Sequence, residues 1–433
     1  FSAVRAASKP GLPCSMDSTR FELPKETMRH PIRQQLLILA IVLAFSGFAG
    51  GASASVPVTG SAVSTTAAEA EHLSDPAVIA TAEDPPSPDP VPTVSTPSLP
   101  PVRASAKGTD IEVSNVSAYP NRVQGKIVVQ FNDDPNQVYG CSGTMVDSVQ
   151  KNVVFTAGHC VYDHDTLAFP SAMIFVPAYQ NGMEPYGEYA AVSVNSPVGW
   201  ITNRSFSYDM GVVQLAGMPE DVIGSRGIAF DLNPVNRRFH IFGYPAEPEP
   251  DYDGEKLIRC DSTMMGRDLA MGLRDPGAPE PLSAGPCFMR QGASGGGWIT
   301  GGGYLNSLTS YVYCDPEDQD PAYCGLDFGP YFSAAAKSLY ESVADTVTPT
   351  VRFTKSPPKV TRKRNLVVRL GGTGTTPVTR FSCSLDSSSW ARCYRSTRLS
   401  RLSYGRHVLS VVSIDQTGRK SGRTATKTFR VRR

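Results

Sequence analysis

A serine set among glycines is the first place in this chain where chemistry could happen. The run Arg290-Gln291-Gly292-Ala293-Ser294-Gly295-Gly296-Gly297-Trp298 lets the backbone turn tightly around one hydroxyl. A hydroxyl held out in this way can act as a nucleophile, with backbone N–H groups beside it aimed at a developing oxyanion. By composition alone such a run is more often a loop or linker. It gains meaning only if a base and an orienting acid exist elsewhere. His159 follows the apolar run Val154-Phe155-Thr156-Ala157-Gly158 directly, and Cys160 anchors the backbone beside it. Asp209 heads the run Met210-Gly211-Val212-Val213, where an acid is costly to bury without a partner. A histidine N–H is such a partner, and the pairing sets the tautomer that a general base needs.

Competing readings of the same residues are weaker. His159, Asp163, His164 and Asp165 are ligand types, but they share one short turn and no other His/Cys set converges on them. A zinc hydrolase at His159 and His164 also lacks an HExxH helix. No metal and no cofactor is therefore expected. His164 and His240 read as surface or structural residues, and His30 and His72 fall in biased N-terminal sequence.

The elements that must position these residues are short strands. Gly125–Phe131, Val138–Val146, Asn152–Thr156, Met173–Val176, Tyr189–Val194, Asp209–Leu215, Arg238–Gly243 and Tyr304–Tyr313 are β-like runs separated by Gly, Pro, Asn and Asp. This predicts an antiparallel barrel or sandwich. Phe332–Val343 is the one amphipathic helix candidate. The 36 prolines and 38 glycines fit an all-β fold with linkers better than a helical bundle.

Here the chain resembles the trypsin-like (chymotrypsin-fold) serine endopeptidases. Thr156-Ala157-Gly158-His159-Cys160, Tyr208-Asp209-Met210-Gly211-Val212-Val213-Gln214-Leu215 and Gly292-Ala293-Ser294-Gly295-Gly296 carry the resemblance, in the family's His–Asp–Ser order. Cys141-Ser142-Gly143-Thr144 and Gly243-Tyr244-Pro245 look like the secreted bacterial branch that includes glutamyl endopeptidases. The resemblance implies a fold of two six-stranded antiparallel β-barrels. It implies Ser294 as nucleophile, His159 as general base and acid, Asp209 as orienter, and the N–H groups of Gly292 and Ser294 as oxyanion hole. Phe288, Met289, Gln291, Thr309, Ser310, Tyr311 and Val312 would meet the substrate, the last three as a β-edge. Two departures bear on specificity. Phe288 stands where trypsin has an acid, so cleavage after basic residues is not implied. Thr309 stands where glutamyl endopeptidases have a histidine. Phe288 and Met289 then suggest an apolar or shallow pocket. Ala293 replaces the aspartate that, in trypsin, pairs with a newly cut N-terminus, so activation through that ion pair is not expected.

Nine cysteines without a CxxC pair read as disulfides in an oxidising compartment. A Cys141–Cys160 bridge would clamp two strands beside His159. Cys260, Cys287, Cys314 and Cys324 allow three connectivities, of which Cys260–Cys287 and Cys314–Cys324 close the shorter loops. Cys383–Cys393 would staple the C-terminal region. From Met28 a basic stretch, an apolar run Leu36–Phe48 and Ala52-Ser53-Ala54 have the form of a signal peptide, which places Cys14 outside the mature protein. An uncleaved anchor is the alternative, although the run is short for a span of ~20 residues.

The expected division is an upstream extension and signal peptide at 1–54, a Pro/Ala/Ser-rich linker or pro-segment at 55–107, a trypsin-like domain at 108–347, and a basic domain at 348–433. From Val351 onward 20 Lys/Arg face two acids, Asp386 and Asp415, against a net charge of +1 for the whole chain. Phe381-Ser382-Cys383-Ser384-Leu385-Asp386, Trp390, Cys393 and Tyr404-Gly405-Arg406-His407 resemble immunoglobulin-like β-sandwich repeats of secreted bacterial proteins. The charge suggests an anionic surface such as a cell-wall polymer, or else a solvated basic spacer. The expectation is a secreted, monomeric serine endopeptidase acting on proteins or peptides, with no nucleic-acid partner. The alternative is a non-catalytic secreted binding protein on the same fold.

Overall fold

The computed structural model describes residues 56–82, 84–85, 110–132, 134, 137–246, 252–269, 271, 275–313, 325–344, 349–374, 377–415 and 420–433. The expected signal peptide and the Cys314–Cys324 bridge lie outside them.

In chain order the elements begin with β1 (Val58–Ala62), α1 (Ala67–Leu73), α2 (Pro76–Thr81) and β2 (Asp110–Glu112). Then come β3 (Gln124–Gln130), β4 (Tyr139–Val146), β5 (Val153–Thr156), β6 (Ala172–Pro177), β7 (Tyr189–Pro197), α3 (Val198–Asn203) and β8 (Gly211–Leu215). The sheet order β1-β7-β6-β3-β4-β5-β8, with β7 also paired to β8, closes β3 to β8 into a six-stranded barrel. Strand β6 pairs with β7 only at Tyr189 and Ala190, and β1 takes over along Ser193–Pro197. Every residue of β3, β5 and β6 is buried; β5 and β6 read as apolar runs, whereas β3 carries the buried polar residues Gln124, Lys126 and Gln130.

A second sheet follows α4 (Glu220–Ile223). It contains β9 (Gly227–Ile228), β10 (Arg238–Gly243), β11 (Ile258–Arg267), β12 (Leu282–Gly285), β13 (Gly297–Thr300), β14 (Tyr304–Leu308) and β15 (Asp327–Gly329), with β2 joined to β11. The expectation of a second closed six-stranded antiparallel barrel is corrected here. This sheet has eight strands, curves as a half-barrel, and pairs β9 with β14 in parallel. A single bridge between Tyr311 and Phe328 links the chain after β14 to β15. Helix α5 (Ala334–Val343) packs Ala335, Ala336, Leu339, Tyr340 and Val343 into the first barrel's core.

Residues 56–81, within the stretch expected as a linker or pro-segment, are ordered. Thr66 and Glu69 form a reciprocal capping box at α1, and Asp75 caps α2 ahead of Pro76. Leu73 and Ile79 are fully buried in the first barrel's core. Burial of each such side chain contributes about 1.5–3 kcal/mol, enough to hold two short helices that would not persist alone.

After residue 348 the chain forms β16 (Arg352–Lys355), β17 (Val360–Thr361), β18 (Leu366–Gly371), β19 (Val378–Leu385), β20 (Ala391–Cys393), β21 (Ser396–Leu399), β22 (Gly405–Asp415) and β23 (Ala425–Val431). A three-stranded sheet β16-β18-β21 and a five-stranded sheet β17-β23-β22-β19-β20 share one core, including Val368, Leu399, Phe381, Leu409 and Phe429. The Cys383–Cys393 disulfide joins β19 to β20. Among the described residues no helix is long and apolar enough to cross a membrane.

Candidate functional site

The pairing of β5 with β8 builds the centre of the site. Thr156 lies opposite Gly211, so the residues just after β5 meet those just before β8. His159 and Asp209 stand at those ends. Asp209 was expected to open the strand; instead it closes a 3-10 turn, Phe206–Tyr208, and β8 starts at Gly211. Its carboxylate is fully buried and accepts three hydrogen bonds. His159 N–H reaches Oδ1 at 2.9 Å, His159 Nδ1–H reaches Oδ2 at 2.9 Å, and Ser310 Oγ reaches Oδ2 at 2.5 Å. A carboxylate only accepts, so the imidazole carries its proton on Nδ1 and presents Nε2 as an acceptor. Gly158 has to be glycine: a Cβ there would lie 2.8 Å from both Asp209 Oδ1 and the Trp200 ring.

Burial disfavours the imidazolium. The Asp209 carboxylate, by charge and hydrogen bond, outweighs this with a smaller contribution from Asp84, and the His159 pKa rises above its ordinary value. The sign follows. A raised pKa stabilises the fold below the ordinary imidazole value, and that contribution is lost as pH climbs through the raised one. Base function has the opposite demand and develops only above it.

The serine loop is anchored from both sheets. Ser142 N–H donates to Ser294 O at 2.7 Å, and Ser142 Oγ donates to Gly292 O at 2.8 Å. Thr309 O accepts from Gly295 N–H at 2.8 Å. Gly292 sits at φ +83°, and a Cβ there would lie 2.5 Å from Tyr244 O. Ala293 is fully buried, and Gly243 passes so close that a Cβ on it would lie 2.7 Å from the Ala293 methyl. The loop is thus held by apolar packing at the position where an acid was noted as missing. The Cys141–Cys160 and Cys260–Cys287 disulfides are both formed.

Sequence reasoning missed Asp84. Ser294 Oγ donates to Asp84 Oδ2 at 3.0 Å, and the Gly292 N–H is directed at the same carboxylate. Burial raises the Asp84 pKa, while attraction to His159 and these hydrogen bonds offset part of the rise. His159 Nε2 is buried and has no hydrogen-bond partner among the described residues.

The other expected substrate residues are distributed differently. Met289 is packed in the second sheet's core with Phe239, Ile241 and Trp298. Thr309 is buried, and its hydroxyl accepts from Trp298 Nε1 at 3.0 Å. Ser310 N–H donates to Phe328 O, and the Tyr311 hydroxyl donates to Asp268 at 2.7 Å. Phe288, Gln291 and Val312 are half-buried or exposed beside the loop. Two more acids were missed because they arrive from distant strands. Asp110 of β2 accepts from Phe288 N–H at 3.0 Å, and Asp327 of β15 is fully buried behind Met289. His164 is not part of the centre. It is buried against the rings of Trp200 and Tyr162, and burial lowers its pKa. Asp163 is occupied by a local turn, accepting from Asp165 N–H at 2.9 Å.

No protein-family profile matches this chain. It is similar to the extracellular metalloprotease of Bacillus subtilis, at 29% identity over 148 residues, 33% of this chain and 46% of that protein. It is also similar to the glutamyl endopeptidase of Bacillus licheniformis, at 27% over 136 residues, 31% and 40% of the two chains. The chain spans less than half the length of these curated relatives. Among solved structures, the protease Anisep from Arthrobacter nicotinovorans is 30% identical over 53% of this chain and 98% of its own, with a TM-score of 0.45. The thermostable serine protease AL20 from an extremophilic microorganism is 27% identical over 52% and 97%, with a TM-score of 0.44.

One relative's name implies a metal, so the donors here matter. Among the described residues, the groups whose ligand atoms lie within 4.8 Å of one another are Cys141/His159/Cys160 and Asp110/Cys260/Cys287. In each, the two sulfurs are bonded to each other and offer no thiolate, and His159 Nδ1 is held by Asp209. These donors do not fit a metal ion.

The packing around the serine loop generates a stability prediction. Ala293→Asp should lower the unfolding free energy of this region by about 3–5 kcal/mol, the cost of an unpaired buried charge. Ala293→Gly should cost about 1 kcal/mol. Denaturant unfolding measures both; equal, small losses would contradict the packing described.

Proposed function

We propose that this chain is a secreted serine endopeptidase. The observation that carries the reading is the buried Asp209–His159 pair, with Nε2 unbonded among the described residues, and Asp84 bonded to Ser294 on the positive-φ glycine loop while attracting His159. In this reading the Ser294 Oγ attacks a peptide carbonyl while His159 Nε2 takes its proton. The oxyanion that forms is held by the Gly292 and Ser294 N–H groups. Collapse expels the amine, which receives the proton from His159, and leaves an acyl ester on Ser294. Water, deprotonated by His159, then releases the acid and restores the hydroxyl. Asp209 stabilises the imidazolium. The protease names of both curated relatives, one of them extracellular, support the coarser reading of a secreted protease, as do the disulfides.

The basic C-terminal module, in this reading an immunoglobulin-like domain, attaches the enzyme to an anionic wall polymer. A groove on its five-stranded sheet supports this: Arg380, Arg392 and Lys420 line it together with Trp390, which is 50% exposed. Cations beside an open aromatic face suit acidic glycan or polyol phosphate.

Two measurements check these readings. A fluorophosphonate probe should label Ser294 and not the Ser294→Ala chain, with no effect of a chelator; chelator-sensitive labelling, or none under any condition, would refute the serine mechanism. Sedimentation with purified cell walls should retain the full chain at low salt and release it as salt rises. Replacing Arg380 and Arg392 by Glu should weaken retention by about tenfold or more; unchanged retention would leave the module a spacer.

A further inference from the structure

The segment 56–85 ends at the centre of the site. Strand β1 extends the first barrel along β7, Thr65 Oγ1 bonds Met173 O at 3.2 Å, and Val56 N–H donates to Ser338 Oγ at 2.9 Å. Lys126, nearly fully buried, donates to Ile79 O at 3.1 Å and to Gly254 O at 3.0 Å. Beyond α2 the chain crosses Gly140, where a Cβ would lie 3.2 Å from Ala82 O. It then delivers the Asp84 carboxylate to Ser294.

We propose, building on the protease reading, that residues 56–85 are a resident inhibitor of the site and that Asp84 is its plug. The plug acts twice. It takes the serine hydroxyl's hydrogen bond, so His159 Nε2 is left without the proton it must remove. It also draws the Gly292 N–H, one of the donors needed for the oxyanion. A carboxyl side chain so placed is no substrate, because a carboxylate is a poor acyl donor with no amine to expel. The segment is long, multiply anchored and apolar on its inner face, which suits a docked inhibitor that leaves only after the chain is cut.

The test is the rate at which fluorophosphonate phosphonylates Ser294 in the intact full chain, its integrity confirmed by mass. Asp84→Ala should label at least about tenfold faster than wild type, as expected when a competent state is released from a blocked one. Asp84→Asn keeps the shape, covers any folding failure of the alanine chain, and should also label faster. Equal rates overturn the plug. Chains that stay unlabelled in every form, even after cleavage between residues 86 and 109, overturn the protease reading and the plug with it.

A different observation carries a second inference, again resting on the protease reading. Phe288 and Met289 lie in the stretch leading into the serine loop, and both turn their N–H groups towards acids. Phe288 N–H donates to Asp110 Oδ2 at 3.0 Å, and Met289 N–H faces Asp327. Among the described residues, both Asp327 oxygens and Asp110 Oδ1 are buried without a hydrogen-bond partner of normal geometry, while Asp110 Oδ2 also accepts from the Tyr252 hydroxyl at 3.0 Å. The two carboxyls repel each other, and Arg290 attracts Asp327. Buried acids short of donors are costly, and a lysine or arginine side chain would supply what they lack. The geometry points to Asp327 and Asp110 as the groups that select a cationic side chain on the residue whose carbonyl Ser294 attacks. The basic preference set aside because of Phe288 thus returns through strands distant in sequence.

Peptides differing only at that residue test it, using the wild-type or the Asp84→Ala full chain, whichever hydrolyses faster. Lys or Arg should exceed Leu in kcat/KM by at least about 100-fold, and Asp327→Asn should cut that ratio by at least about tenfold. A preference for Leu or Glu, or a ratio unchanged by the substitution, overturns the assignment. Asp110→Asn repeats the test if the Asp327 variant does not fold. Failure to cleave any peptide sinks the protease reading and this inference together.

Discussion

A single buried carboxylate organises the centre of this protein. Asp209 is fully excluded from solvent and must be matched by donors, and the fold supplies three of them. Two come from His159 and one from Ser310, so one acid ties the end of β5 to the start of β8 and both to the segment after β14. An unpaired charge there would cost several kcal/mol. The β5–β8 pairing that juxtaposes Thr156 and Gly211 is therefore a condition for burying Asp209. The same pairing orients the imidazole. Stability and site geometry share one set of bonds.

The serine loop illustrates a different constraint, that of space. Ser142, from the first barrel, bonds both Ser294 O and Gly292 O, so the loop is held by the opposite sheet as well as by its own. Close approach of the Tyr244 backbone excludes a side chain at Gly292, and the Asp209 and Trp200 side chains exclude one at Gly158. Ala293 completes the arrangement with apolar contact, and the loop depends on no buried ion pair at that position.

Much of this was legible in the chain. The motif around His159 follows a strand that is buried on both faces, and such strands announce themselves as unbroken apolar runs. The cysteine pairs Cys141–Cys160, Cys260–Cys287 and Cys383–Cys393 join neighbours in sequence, which short loops favour. Other features were hidden for physical reasons. The Ser/Ala/Thr-rich stretch before residue 85 looks like linker by composition, yet Thr66-Ala67-Ala68-Glu69 is a capping signal and Leu73 and Ile79 find their partners only in the folded barrel. Strands β11, β12 and β13 carry many small or polar residues and show weak alternation, so their pairing is set by tertiary context. Asp84, Asp110 and Asp327 converge on the serine loop from far along the chain, and no local pattern reports such convergence.

Asp209 orients His159 through a bond to Nδ1 that leaves Nε2 as the acceptor. Nitrogen-15 NMR titration of the His159 imidazole in the full chain tests it most directly. The account predicts a Nδ1-protonated neutral form, a midpoint above the ordinary value of about 6.5, and a fall in that midpoint when Asp209 is replaced by Asn. A Nε2-protonated imidazole, or an ordinary midpoint indifferent to the substitution, would contradict it.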